Sequence, residues 1–197
     1  EVAGPGLVTT ANFALSPGAT ISGRITDADT GLPIAGVRVN ASNIFDAPGA
    51  EGYSDADGVY TVKGVAPGTY RIKARVEDQS YIQQFHSNVI YWHQASLVGL
   101  VGTEEVDGID FSLKRGATIS GRIVDGFTGL PIPNMEIHAG PPDGEHLAWE
   151  NTRADGTYVL RGMPDGLIEV VVQGQGYIQV VKTVIIRDGQ DVPNFDF

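Results

Sequence analysis

Two stretches of this chain are near-copies of one another, and that repetition limits the architecture more than any other feature. The segment from Gly18 reads GATISGRITDADTGLPIAGVRVNA, and the segment from Gly116 reads GATISGRIVDGFTGLPIPNMEIHA. Their first eight residues are identical, and TGLPI recurs in full. The offset of 98 residues persists further on: Asp57-Gly58 answers to Asp155-Gly156, Tyr60 to Tyr158, Gly64 to Gly162 and Gly68 to Gly166. The 197 residues therefore read as two copies of one unit.

Within each copy the apolar period is two, the period of a half-buried strand. Tyr70, Ile72, Ala74 and Val76 alternate with Arg71, Lys73, Arg75 and Glu77, and Ile168, Val170 and Val172 repeat the pattern. Val37, Val39 and Ala41 do the same, as do Met135, Ile137 and Ala139. Turn residues separate the runs, at Thr30-Gly31-Leu32-Pro33, Asp57-Gly58 and Ala66-Pro67-Gly68. No window carries a 3.6-residue stripe. The fold class is all-β, two tandem sandwiches of roughly 100 residues, the size of an immunoglobulin-like domain. Residues 16–115 form the first module and 116–197 the second, with 1–15 as an extra N-terminal strand. The passage SLKRGAT between them is too short for free domain motion.

Composition narrows the function classes. Hydrophobic residues make up 42% of the chain, so each unit has the material for a core. The net charge of −11, with 13 basic residues spread thinly, argues against a nucleic-acid surface. No run approaches the ~18 apolar residues of a membrane helix, so membrane insertion is not expected. With no cysteine there is no disulfide, thiolate site or thiol nucleophile. His86, His93, His138 and His146 show no metal-ligand spacing, and no serine sits in a G-x-S-x-G turn. An enzyme is not expected. His138 stands where the first copy has Asn40, an outward strand position, and reads as a surface residue.

The order ISGRITDADTGLPIAGVRV, then SDADGVYTVKGVAPGTYRI, then the closing VDGIDFSL resembles the carboxypeptidase regulatory-like modules, prealbumin-like and CnaB-like sandwiches of prokaryotic surface proteins. The resemblance covers nearly the whole chain. It implies an extracellular, structural role: a subunit of a surface filament, or a segment of an adhesin stalk. The alternative it leaves is a glycan-binding accessory module of a secreted hydrolase. Some pilus sandwiches carry a Lys–Asn crosslink; here Asn12 and Asn194 lie on closing strands, but Arg24 and Arg122 stand on the first strands, and arginine cannot serve.

The closing strand appears three times for two module bodies: at 8–15, at 106–113 and at 192–197. Either the chain is a piece of a longer array, or the first strand pairs with another copy. The second reading makes Val8, Phe13 and Leu15 an assembly strand, with other copies or adjacent repeats as partners. Among side chains suited to ligands, Asp27, Asp29, Asp55 and Asp57 are hard oxygen donors for calcium, although the shared Asp-Gly reads first as hairpin chemistry. No other cofactor is implied. Tyr81, Phe85, Tyr91 and Trp92 cluster in an insertion of the first copy, and Trp149 lies in the second. These aromatics fit a lid on the core, a protein interface or a glycan platform. Asn40-Ala41-Ser42 is a glycosylation sequon.

Overall fold

The computed structural model describes residues 14–45, 49–142 and 146–197. In the first module β1 (Ala19–Asp27) is followed by β2 (Arg38–Asn43), β3 (Ala50–Tyr53), β4 (Val59–Val65) and β5 (Gly68–Arg75). Then come β6 (Gln84–Phe85), a single 3-10 turn (Trp92–Gln94), β7 (Leu97–Leu100), β8 (Glu105–Val106) and β9 (Phe111–Leu113). The second module repeats the opening order as β10 (Ala117–Arg122), β11 (Glu136–Gly140), β12 (Ala148–Asn151), β13 (Thr157–Met163) and β14 (Gly166–Gln173), and adds β15 (Val180–Ile186). Both units are β-sandwiches, as the period of two predicts.

In the first module one sheet has the order β4-β1-β8 with β9 also on β1, and the other runs β3-β2-β5 with β6 and β7 on the free side of β5. Side chains that alternate inward from both sheets meet in one core. Ile21, Ile25, Val39, Ala41, Tyr60, Val62, Tyr70, Ile72 and Phe111 are among its fully enclosed members. The second module pairs β10 with β13 and stacks this ladder on β12-β11-β14-β15. Its core holds Ile119, Ile137, Tyr158, Leu160, Met163 and Val170, with Phe195 and Phe197 packed against it. Burying each such side chain is worth about 1.5–3 kcal/mol relative to exposure.

Each module is closed by a strand that runs parallel to its own first strand. Ile25, Thr26 and Asp27 pair with Phe111, Ser112 and Leu113. In the second module Ser120 N–H donates to Val192 O at 3.0 Å, Phe195 N–H to Ser120 O at 2.9 Å and Phe197 N–H to Arg122 O at 2.9 Å. A glycine makes the approach possible in both. A Cβ on Gly23 would lie 2.2 Å from the carbonyl oxygen of Ile109, and one on Gly121 would lie 2.3 Å from that of Phe195. The closing strand is pinned further by a buried phenol: Tyr60 Oη donates to Ile109 O at 2.6 Å, and Tyr158 Oη donates to Phe195 O.

The first copy's insertion changes one edge. In the second module β15 lies along β14 from Val172 to Gly166 as one continuous strand. In the first, β6 and β7 share that role on β5, and residues 86–96 leave the sheet between them.

Candidate functional site

The first module's end beside the second is organised by a compact clasp built around Asp27. This carboxylate ends β1, and the turn that follows folds back on it. Oδ1 accepts from the amides of Asp29 at 3.0 Å and Thr30 at 2.9 Å, and from the Thr30 hydroxyl at 3.0 Å. Oδ2 accepts from the Tyr81 hydroxyl at 2.7 Å and lies 3.8 Å from Nε of Arg115. The Arg115 guanidinium sits over the Tyr81 ring, 4.8 Å from its centroid. Asp27, Tyr81 and Arg115 all belong to the first module, Arg115 being its last residue, with Gly116 between it and β10.

Backbone contacts tighten the same place. Ile82 N–H donates to Lys114 O at 2.9 Å, and Gly116 N–H to Ser80 O at 3.2 Å. Gly162, at φ +72°, presses against the first module so closely that a Cβ would stand 3.0 Å from the carbonyl oxygens of Gln79 and Tyr81. Lys114 Nζ reaches Asp165 at 3.4 Å. Such exposed ion pairs contribute little singly. The contact between the modules is held by the Gly116–Ser80 backbone bond and the close approach of Gly162, and the Asp27–Tyr81 bond fixes the first module's side of it.

The Tyr81 hydroxyl, followed by the Thr30 amide, holds the Asp27 carboxyl down at about 2 against an ordinary 3.8. Burial, with Asp27 as its partner, pushes the Tyr81 phenol up. A carboxylate depressed in the folded state adds stability that is present above the unfolded value and lost as pH falls through the folded one. Acid melting between pH 4 and 2 should therefore weaken the first module, and Asp27→Asn should remove part of that dependence while lowering stability at neutral pH. Thermal melts of both proteins across this range check it; parallel pH profiles would show that Asp27 is not held as described.

The acidic turns direct their carboxylates onto backbone amides. Among the described residues, no group of three or more His, Cys, Asp or Glu is placed to hold a metal ion. Asp27 spends its oxygens on the clasp. Asp55 accepts from the amides of Asp57 and Val59, both at 2.9 Å, as hairpin geometry requires. Asp29 and Asp57 donate their amides to these turns. The second module builds the same turn on Asp125, which accepts from Phe127 and Thr128. Asp125 also accepts from Tyr177 at 3.2 Å, the counterpart of the Asp27–Tyr81 bond.

The aromatics divide. Tyr81 and Phe85 are buried and Tyr91 is half-buried, whereas Trp92 and Trp149 are 49% and 59% exposed. Tyr81 faces Asp27 and Phe85 completes β6, so neither presents its ring to solvent. Arg71 lies over the Trp92 ring at 4.6 Å. His138 occupies the outward position expected of it but is only 8% exposed, because His146 stacks on it at 4.6 Å between centroids. That burial, with His146 beside it, lowers its pKa against the opposing pull of Glu136.

Val8 and Phe13 lie outside the described residues. Leu15 is 95% exposed and belongs to no strand, whereas Leu113, at the same place in the next closing sequence, is fully buried. The residues that sequence reasoning missed are Arg115, Gly162, and a pair of interior hydroxyls. Ser54 accepts from Val37 N–H at 2.9 Å and donates to Ile34 O at 2.8 Å, and Thr152 does the same with Met135 and Ile132.

The family model of the carboxypeptidase regulatory-like domain matches residues 20–84 and again 118–197. No curated protein matches the chain. Among solved structures, the minor pilin GBS52 of Streptococcus agalactiae is 14% identical with a TM-score of 0.40, over 90% of this chain and 94% of that one. The shaft pilin SpaA of Lactobacillus rhamnosus GG is 12% identical with a TM-score of 0.37, over 91% and 97%. The Bacillus anthracis TIE protein is 14% identical with a TM-score of 0.39, over 91% of this chain and 33% of that protein, so the chain spans about a third of its length. With both copies matched over most of their length, the chain belongs to the carboxypeptidase regulatory-like domain family.

Proposed function

We propose that the chain is a non-catalytic, extracellular structural segment, part of a surface filament or adhesin stalk made by joining sandwiches end to end. The observation that carries this reading is the clasp. Three residues, Lys114, Arg115 and Gly116, separate the closing strand of one module from the opening strand of the next, and Lys114 and Gly116 are tied into the contact. A joint of this kind sets an orientation rather than a tether. The domain division at about residue 115 belongs to the same proposal, since each side has its own core.

Longitudinal growth is assigned to the N-terminal closing sequence. Leu15 is exposed where its counterpart Leu113 is enclosed, and an apolar strand with a free edge pairs readily with a neighbouring sheet. β15 is a seven-residue edge strand of apolar, β-branched character and suits the acceptor role. Deleting residues 1–15 should leave both sandwiches folded, with unchanged melting, but convert an assembling protein into a monomer. Light scattering behind size-exclusion chromatography reads the mass. Equal masses for both proteins would remove strand donation from the proposal.

A further inference from the structure

One loop occurs in both modules and is covered in only one of them. Gln79-Ser80-Tyr81-Ile82-Gln83 follows β5, and Gln175-Gly176-Tyr177-Ile178-Gln179 follows β14. In each, the tyrosine hydroxyl donates to the aspartate that opens the TGLPI turn, Asp27 at 2.7 Å and Asp125 at 3.2 Å. Burial then diverges. Tyr81 and Ile82 are 9% and 7% exposed, whereas Tyr177 and Ile178 are 45% and 90% exposed. An isoleucine left in water forgoes most of the stabilisation that its burial would supply.

The opening end of the second module packs on the first loop. Gly116 N–H donates to Ser80 O at 3.2 Å, and Gly162 stands against the carbonyls of Gln79 and Tyr81. Leu147 and Arg161 line, together with Tyr81 and Gln83, a gap of only about 10 Å³. The first module has an opening end of the same build, with Gly18 for Gly116, Gly64 for Gly162 and Lys63 for Arg161. Gly64 holds φ +71°, against +72° at Gly162. Their surroundings differ. Among the described residues no heavy atom lies within 4 Å of a Cβ placed on Gly64, whereas the three nearest to one on Gly162 all belong to the first module. Each half of the internal joint thus recurs, one on the opening end of the first module and one on the far end of the second.

We propose that the loop around Tyr177 and Ile178 docks the opening end of the first module of a second copy of this chain. This docking deepens the end-to-end reading above and rests on it. The internal joint identifies the occupant, since it seats an opening end of the same sequence type on the same kind of loop. A far end against an opening end is a heterologous contact, which repeats along an axis instead of closing into a pair. The offset between copies falls from 98 at Gly68 and Gly166 to 96 at Tyr81 and Tyr177, so the second loop is two residues shorter. It keeps the aspartate–tyrosine bond and the isoleucine, and sets its own angle. The surface is small, and within the chain a covalent link holds the joint together. Between copies the donated strand is the tether, and its acceptor β15 begins at Val180, directly after this loop.

The chain has no cysteine, so an introduced thiol is the only one present. Lys63→Cys and Gln179→Cys alter exposed side chains, the counterparts of Arg161 and Gln83, which line the same gap in the internal joint. The two full-length variants are mixed and treated with a short bismaleimide. Linked dimers should form in the mixture and not with either variant alone, because a heterologous contact brings unlike surfaces together. Ile178→Glu, added to the Gln179→Cys chain, should lower the mixed product about tenfold. It should leave the melting temperature unchanged, since Ile178 is exposed within its own chain. A mixture that links no better than the single variants, or an Ile178→Glu chain that links as well as its parent, would overturn the docking. Mass in solution reads strand donation separately. A chain that assembles without the mixed product loses the docking and keeps the donated strand, and one that stays monomeric and unlinked loses both.

Discussion

Replacing Gly23 with valine should unseat the first module's closing strand, at a cost of about 3 kcal/mol or more. The reason is contact with backbone, which has no rotamer to move away. A Cβ at this position would meet the Ile109 carbonyl oxygen at 2.2 Å and its carbon at 2.6 Å, with the Asp110 carboxylate at 3.1 Å. That carboxylate in turn accepts from the Arg24 amide at 2.8 Å, so displacement breaks a further bond. Gly121→Val should do the same to the second module through Phe195. Because the two cores are separate, calorimetry should show one transition falling while the other stays near its original temperature. A loss below about 1 kcal/mol would contradict the seating of the closing strand.

Tyr60→Ala is expected to be comparably severe. The ring is 1% exposed and packs against Phe111 at 6.2 Å between centroids. Truncating a large buried aromatic costs about 3–5 kcal/mol. The Ile109 carbonyl also loses its donor. Tyr60→Phe isolates that second effect: the packing stays, the carbonyl is stranded, and the expected loss is about 1–3 kcal/mol. Chemical denaturation of the two variants should rank them in that order. If Tyr60→Phe proves neutral, the phenol does not pin the strand.

The hairpins and the two modules were legible because their signals are local or repeated. TGLPI, Asp-Gly and the alternation on β5 each sit within a few residues of the structure they specify. The clasp was not legible, since Asp27 and Tyr81 are 54 residues apart and nothing near either one names the other. Asp27 carried a visible signal, a carboxylate in a turn, and that signal fits a cation as well as an amide. His138 was misread because alternation reports which way a side chain points, not whether another residue lies over it.

The parallel pairing of β1 with β9 governs how a module responds to tension. In a tandem chain, load enters at the start of β1 and leaves at the end of β9. Parallel strands place those two points at opposite ends of the shared ladder. Pulling then slides one strand along the other, and the ladder bonds share the load at once. An antiparallel hairpin pulled from its open end gives way one bond at a time, like a zipper. Resistance of this kind is a rate, governed by how fast the sheared pair separates rather than by equilibrium stability. Each module is thus stapled across the line of pull, and the bonds that join Ser22, Arg24 and Tyr60 to the closing strand are where a stretched array would first have to yield.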